Sequence, residues 1–211
     1  VGLQNVLVSL GAAAAVKGFF DAGVEADRTA KKLKFLGEQF GETGKLQAFA
    51  TESAERFAIS QTNAEKSVSD LFARLRPMGI EMEDIETVFS GVNVAAKQMS
   101  LYTEDTEGVM LQLSQALGSG TLQGDEFRSV MERLPKIGQA VADSMGVNVS
   151  ELKSLSSAGQ ITTKEIIKAL KGIEDQGFPE PDAVMKFDKA MQDLSRAIGQ
   201  KLKPVLDPIL E

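Results

Sequence analysis

Apolar residues recur at spacings of three and four along nearly the whole chain, and no stretch alternates apolar and polar residues between turn signals. Such a rhythm keeps side chains on one face of an α-helix and puts them on both faces of a strand. The chain is therefore expected to be all-α. Val16, Phe20 and Val24, followed by Leu33, Leu36 and Phe40, carry the pattern through the first forty residues. They predict one long opening helix over roughly 3–40. The segment "GETG" at 41–44 closes it, with two glycines able to take the left-handed conformation that ends helices.

Shorter helices follow. Residues 45–58 and 63–76 are separated by "SQTN", whose polar side chains suit a cap, and Pro77 with Gly79 stops the second. A helix over 81–99 carries Met82, Ile85, Val88, Phe89 and Val92 on one side. Thr103, followed by acidic residues between Glu104 and Glu107, reads as a cap with a first turn favourable to the helix dipole.

Residues 123–170 predict three or four short helices in a compact motif. Pro135 begins one, Gly146 ends it, Ser150 caps the next and Gly159 closes that one. Thr162 or Thr163 caps a last helix that buries Ile166, Ile167 and Leu170. The turn "GFPEPD" at 177–182 marks the clearest boundary, its prolines favouring extended backbone.

Beyond it Val184, Phe187, Met191, Leu194, Ile198 and Leu202 form the seam of a coiled coil or of a helix docked along a bundle. Val205, Leu206, Ile209 and Leu210 extend its apolar end, although Pro204 and Pro208 are expected to bend or restart the helix. The seam, with Val205 and Ile209, is the candidate surface for self-association or partner contact; the other reading makes it core of the same bundle. Three regions result: a long helix and bundle over 1–100, a compact motif over 101–176, and an exit helix over 177–211. The chain opens at Val1 and ends within an apolar pattern, so it is expected to be part of a longer protein.

Missing residue types narrow the chemistry. His, Cys and Trp are absent, which removes imidazole bases, thiolate nucleophiles, their triads and Cys/His zinc sites. A net charge of −7 argues against a surface built for nucleic-acid phosphates. The opening "VGLQNVLVSLGAAAAVKGFF" is broken by Gln4, Asn5, Ser9 and Lys17 and is rich in Ala, so it reads as a buried helix and not as a membrane span.

Three local patterns invite a chemical reading. "GSGTLQG" has one residue too many for a dinucleotide fingerprint, follows a helix, and lacks the Lys-Ser/Thr of a phosphate loop. "AVADSMGVNVSELKSL" has the small residue, turn glycine and apolar positions of a helix-turn-helix, yet its second helix offers only Lys153 as a cation. The acidic runs "EMEDIE" and "TEDTE" fit the wet faces of amphipathic helices better than an acid/base or metal cluster.

The stretch "LSQALGSGTLQGDEFRSVMERLPKIGQAVADSMGVNVSELKSLSSAGQITTKEIIKAL" resembles the conserved N-terminal domain of phage and prophage tail tape measure proteins. The resemblance rests on Gly120, Gln123, Gly124 and Glu126 in the glycine-rich turn, and on Pro135 at a helix start. Gly146 and Val147 follow at a helix end, then Gly159 and Ile161 at a further turn. Flanking segments "AVKGFFDAGVEADRTAKKLKFLG" and "AMQDLSRAIGQKLKPVLDPILE" extend it over most of the chain.

This resemblance implies a structural scaffold and ruler of a long-tailed phage or prophage tail that sets tail length and takes part in assembly. It implies no catalytic residue, cofactor or metal. Tail tube protein, tail assembly chaperones and tail tip or baseplate proteins would be the partners, with further copies of the chain in the tail. Nucleic acid would not be a primary partner and no membrane span lies in this segment. The location would be the virion tail, and the host cytoplasm during assembly. A DNA-binding helix-turn-helix regulator and a helical adaptor or effector domain are the alternatives.

Overall fold

The computed structural model describes the backbone of residues 3–118 and 125–210, and the side chains of residues 14–118 and 127–205. Among these residues the chain forms ten α-helices and no strand. In order they are α1 (Leu3–Phe40), α2 (Thr43–Arg56), α3 (Gln61–Leu75), α4 (Met82–Gln98) and α5 (Thr103–Gly118). Then come α6 (Asp125–Arg133), α7 (Pro135–Met145), α8 (Val149–Ser157), α9 (Thr163–Glu174) and α10 (Ala183–Leu210). They group into two compact units, one of residues 1–54, 58–66 and 182–211, the other of residues 55–57 and 67–181.

The first unit pairs α1 with α10 and adds α2 and the start of α3. Helix α1 closes at Gly41, whose φ of +70° suits glycine, and the Glu42 amide donates back to the Gly37 carbonyl at 2.8 Å. Gly44, expected to share this task, lies inside α2 instead. The corner is tight because a Cβ at Gly37 would come within 2.5 Å of Thr43 Cα. The Ser60 hydroxyl accepts the Asn63 amide at 3.3 Å and caps α3, as the polar "SQTN" suggested. Asp182 caps α10 in the same way, accepting the Met185 amide at 2.9 Å.

The second unit is built around α4. From Thr87 to Ala96 every residue of this helix is buried, so it has no wet face there. It lies against α9 so closely that a Cβ at Gly91 would sit 2.7 Å from the Leu170 carbonyl oxygen. Phe57 fills the unit's edge, 4.9 Å from Phe178 in an edge-on stack and 5.8 Å from Phe89. Phe127, Leu134, Ile137 and Val141 carry the core through the short helices.

The corners of α6 to α9 follow local chemistry. Pro135 is the first residue of α7, and Gly146 ends that helix at φ +70° while Val147 donates to the Ala142 carbonyl. The expected cap at Ser150 is corrected to Asn148. Asn148 is extended and forms a reciprocal capping box with Glu151, whereas Ser150 lies within α8 and has Lys153, not an acid, three residues on. Thr162 and Glu165 make the same box for α9.

The expected restart at Pro204 or Pro208 is also corrected, since α10 runs as one helix to Leu210. A proline removes one backbone donor, but the carbonyls on either side keep their helical partners, so the helix can continue through it.

Candidate functional surface

Helix α10 is amphipathic, but the side that meets its own unit is the polar one. Gly199, Arg196, Asp193, Lys189 and Lys203 face inward and are buried or half-buried. On the opposite side Val184 is 65% exposed and Phe187 63%, and Met191, Leu194 and Val205 are also exposed. Ile198 and Leu202 are half-buried at the stripe's edge. The Ile209 side chain lies outside the described residues.

Two devices hold the polar side in place. The first is steric: a Cβ at Gly199 would overlap the Phe19 carbonyl oxygen and come within 2.8 Å of the Gly23 Cα. Glycine at both positions lets the two backbones touch, so the helices pack through main chain where other pairs interpose side chains. The buried residues of α1 among those described are Gly23, Ala26, Thr29, Leu33, Leu36 and Gly37. Val16 and Val24, two members of the face read from the sequence, are exposed.

The second device is electrostatic. Arg196 donates both guanidinium arms to Glu65 of α3, each bond 3.0 Å long, and a third bond of 3.1 Å to the Thr62 hydroxyl. Thr29 of α1 donates to the same Glu65 carboxylate at 3.0 Å, and Gln61 donates to it at 3.1 Å. The Glu65 side chain is only 8% exposed and that of Arg196 17%. Withdrawal of these charges from water is offset by the planar two-point match and by the neutral donors that fill the remaining carboxylate sites. Nearby, Asp193 accepts the free backbone amide of Gln61 at 2.9 Å and pairs with Lys189 at 2.8 Å. A helix N-terminus favours such a carboxylate because its first amides lack partners. Lys203 completes the set with an ion pair to Asp27 of α1 at 3.4 Å.

None of this was visible in the sequence reading, because Arg196 and Glu65 are 131 residues apart. The alternation of apolar and charged residues on α10 could have hinted that one face must meet charge, but it does not reveal which face turns inward.

The described motif positions belong to the second unit. Pro135, Gly146 and Val147 form the corners of α7, and Gly159 turns the chain at φ +67° ahead of the fully buried Ile161. Gly120, Gln123 and Gly124 lie outside the described residues, as does the side chain of Glu126. In α8, the recognition helix of the helix-turn-helix reading, Glu151 is engaged in its cap and Lys153 is the single cation. Among the described residues no three acidic side chains gather closely enough to hold a metal ion. No helix among them is long and apolar enough to cross a membrane.

Helices joined by tight corners, one of them fastened by its polar side and showing its apolar side to solvent, define an all-α protein. The tape measure protein family model matches residues 17–205, and the chain belongs to that family. Its setting is thus the phage tail, in a family whose role is structural and not catalytic. Neither the curated proteins nor the solved structures gave a significant match.

Proposed function

We propose that the chain is a scaffold segment of the tail ruler, acting in tail assembly through the outer face of α10. The observation that carries this reading is the orientation of that helix within a tape measure family member. Val184, Phe187, Met191 and Leu194 are left in water by a unit that uses charged residues for its internal contact. Tail tube subunits, assembly chaperones and tip or baseplate proteins are the partner classes for such a face, met first in the host cytoplasm and then in the finished tail. A helical ruler converts residue count into length at roughly 1.5 Å per residue.

The test is made in the complete tail gene of the encoding phage or prophage. Insertion of four heptads of helix downstream of α10 is expected to lengthen tails by roughly 42 Å in electron micrographs. Phe187→Glu with Leu194→Glu is expected to reduce the yield of finished tails. Unchanged length after the insertion would remove the ruler, and normal tail yield from the double variant would remove the α10 face.

A further inference from the structure

Helix α1 carries an exposed line of a different kind. Lys17, Asp21, Val24, Arg28, Lys31 and Phe35 follow one another at intervals of four, three, four, three and four residues, and all six are exposed. Such intervals keep side chains in one row, the row along which a second helix can lie. The row is opposite the buried Ala26, Leu33 and Gly37, so packing within the unit leaves it uncovered. Phe35 is 64% exposed and Val24 39%.

Charge along the row is unbalanced between these two apolar residues. Helix α1 has four acidic residues, and three are engaged: Asp21 by Lys17, Glu38 by Lys34, and Asp27 by Lys203. The fourth, Glu25, turns aside and lines a hollow with Met191, Gln192 and Arg196. Arg28 and Lys31 have no ion pair among the described residues. Two unpaired cations between Val24 and Phe35 call for carboxylates set between apolar side chains.

We infer that this row of α1 seats an acidic helix of another protein, its carboxylates at Arg28 and Lys31 and its apolar residues at Val24 and Phe35. The surface is separate from the outer face of α10 and does not depend on the reading of that face. Long basic side chains suit the contact, because their stems cover apolar surface while their charged ends stay wet.

A second copy of this chain does not fit the row. The antiparallel register that sets Phe35 on Val24 also sets Arg28 on Lys31, and a parallel pair sets each cation against itself. Either arrangement is repulsive, which is how charge along a helical seam rejects a wrong partner. Nucleic acid is disfavoured too, since Asp21, Glu25 and Glu38 lie on or beside the row where phosphates would run.

The purified chain tests the inference against two helical peptides of four heptads, each labelled with one tryptophan, since the chain has none. One alternates Leu and Glu along its seam, the other Leu and Lys. The Leu/Glu peptide is expected to bind at least about tenfold more tightly by fluorescence anisotropy, and more weakly as salt rises. Arg28→Glu with Lys31→Glu should reverse the preference, while Phe187→Glu with Leu194→Glu should leave it unchanged, circular dichroism confirming the fold of each variant. Equal binding of the two peptides, or binding of neither, overturns the inference. A preference that survives reversal of Arg28 and Lys31, or is lost with the α10 variant, places the peptide elsewhere and overturns it as well. Tighter binding of duplex DNA than of the Leu/Glu peptide would give the row to nucleic acid instead. In the assembling phage, a photoreactive phenylalanine in place of Phe35 is expected to cross-link to a segment of another protein rich in Asp and Glu; cross-links to a second copy of the chain would refute the choice of partner.

Discussion

Gly199→Ala is expected to destabilise the first unit, against the usual trend for glycine in helices. In an open helix interior the exchange gains about 1 kcal/mol, because alanine loses less backbone freedom. At Gly199 the added carbon falls on the Phe19 carbonyl oxygen and within 2.8 Å of the Gly23 Cα. These are backbone atoms that no rotamer change can move, so α1 and α10 must separate. Overpacking of this kind costs about 1–3 kcal/mol, and main-chain overlap places it at the upper end. The net loss is about 2 kcal/mol, or about 4–8 °C in Tm for a chain of this size. Gly18→Ala is the matched control, since a Cβ there meets nothing within 4 Å; it should keep or raise Tm. Both are measured by thermal unfolding at 222 nm, with separate transitions fitted if the units melt apart. If Gly199→Ala melts as high as Gly18→Ala, the backbones are not in contact and the steric account of the α1–α10 pair is wrong.

Glu65→Ala leaves the Arg196 guanidinium largely buried and unpaired, and is expected to cost about 2–4 kcal/mol in denaturant unfolding; Glu65→Leu with Arg196→Met should recover most of it, and no recovery would mean that the ion pair itself supplies net stability. Ser100 ends α4 in the left-handed region at φ +56°, so Ser100→Gly should raise stability by about 1 kcal/mol, and a loss would contradict that conformation. The Ser69 hydroxyl is buried without a partner; Ser69→Ala is expected to be neutral or stabilising in the same assay, and a loss above about 1 kcal/mol would reveal a hidden hydrogen bond. Lys171 is held above its ordinary 10.5 by hydrogen bonding and charge attraction from Glu174 and then Asp175. Its contribution is therefore full at neutral pH and lost only as pH rises through the folded value, but the Lys171 ammonium is solvent-exposed and such pairs are worth little, so Lys171→Ala should leave stability at neutral pH unchanged within error.

Sequence legibility followed the range of the interaction. The ends of α1, the start of α7 at Pro135 and its close at Gly146 are set by residues within one turn of the event, and periodicity with cap chemistry located them. On α1 Leu33 and Leu36 are buried as their spacing predicts, but Val16 and Val24 are not. Val16 and Val24 look like core, yet a helix pair in backbone contact selects Gly23 and Ala26, whose value lies in what they lack. The cap at Asn148 is local as well, since Glu151 stands three residues on to complete its box, whereas Ser150 has Lys153 at that distance. Ser100 gave no signal, as a left-handed helix end there would ordinarily carry glycine. The Glu65–Arg196 lock had no local trace, since each residue alone reads as a surface charge on an amphipathic helix.

Fold stability alone does not account for the orientation of α10. Turning the helix half a revolution would withdraw roughly 500 Å² of apolar surface, worth about 12 kcal/mol as an upper limit. The contacts that hold the observed orientation supply less, because a buried ion pair returns little beyond its own desolvation and a glycine contact contributes close packing over a small area. The inward polar face therefore acts as a specifier. Glu65 accepts only a cation at position 196, the amide of Gln61 meets a carboxylate at 193, and the Gly23 backbone admits only a residue without a side chain at 199. Each condition fails when α10 rotates, and all three must fail together. A helix fixed in this way keeps Phe187 and Leu194 outward at a cost its own unit does not recover, and on the proposed function burial of that face against a partner is what would regain it.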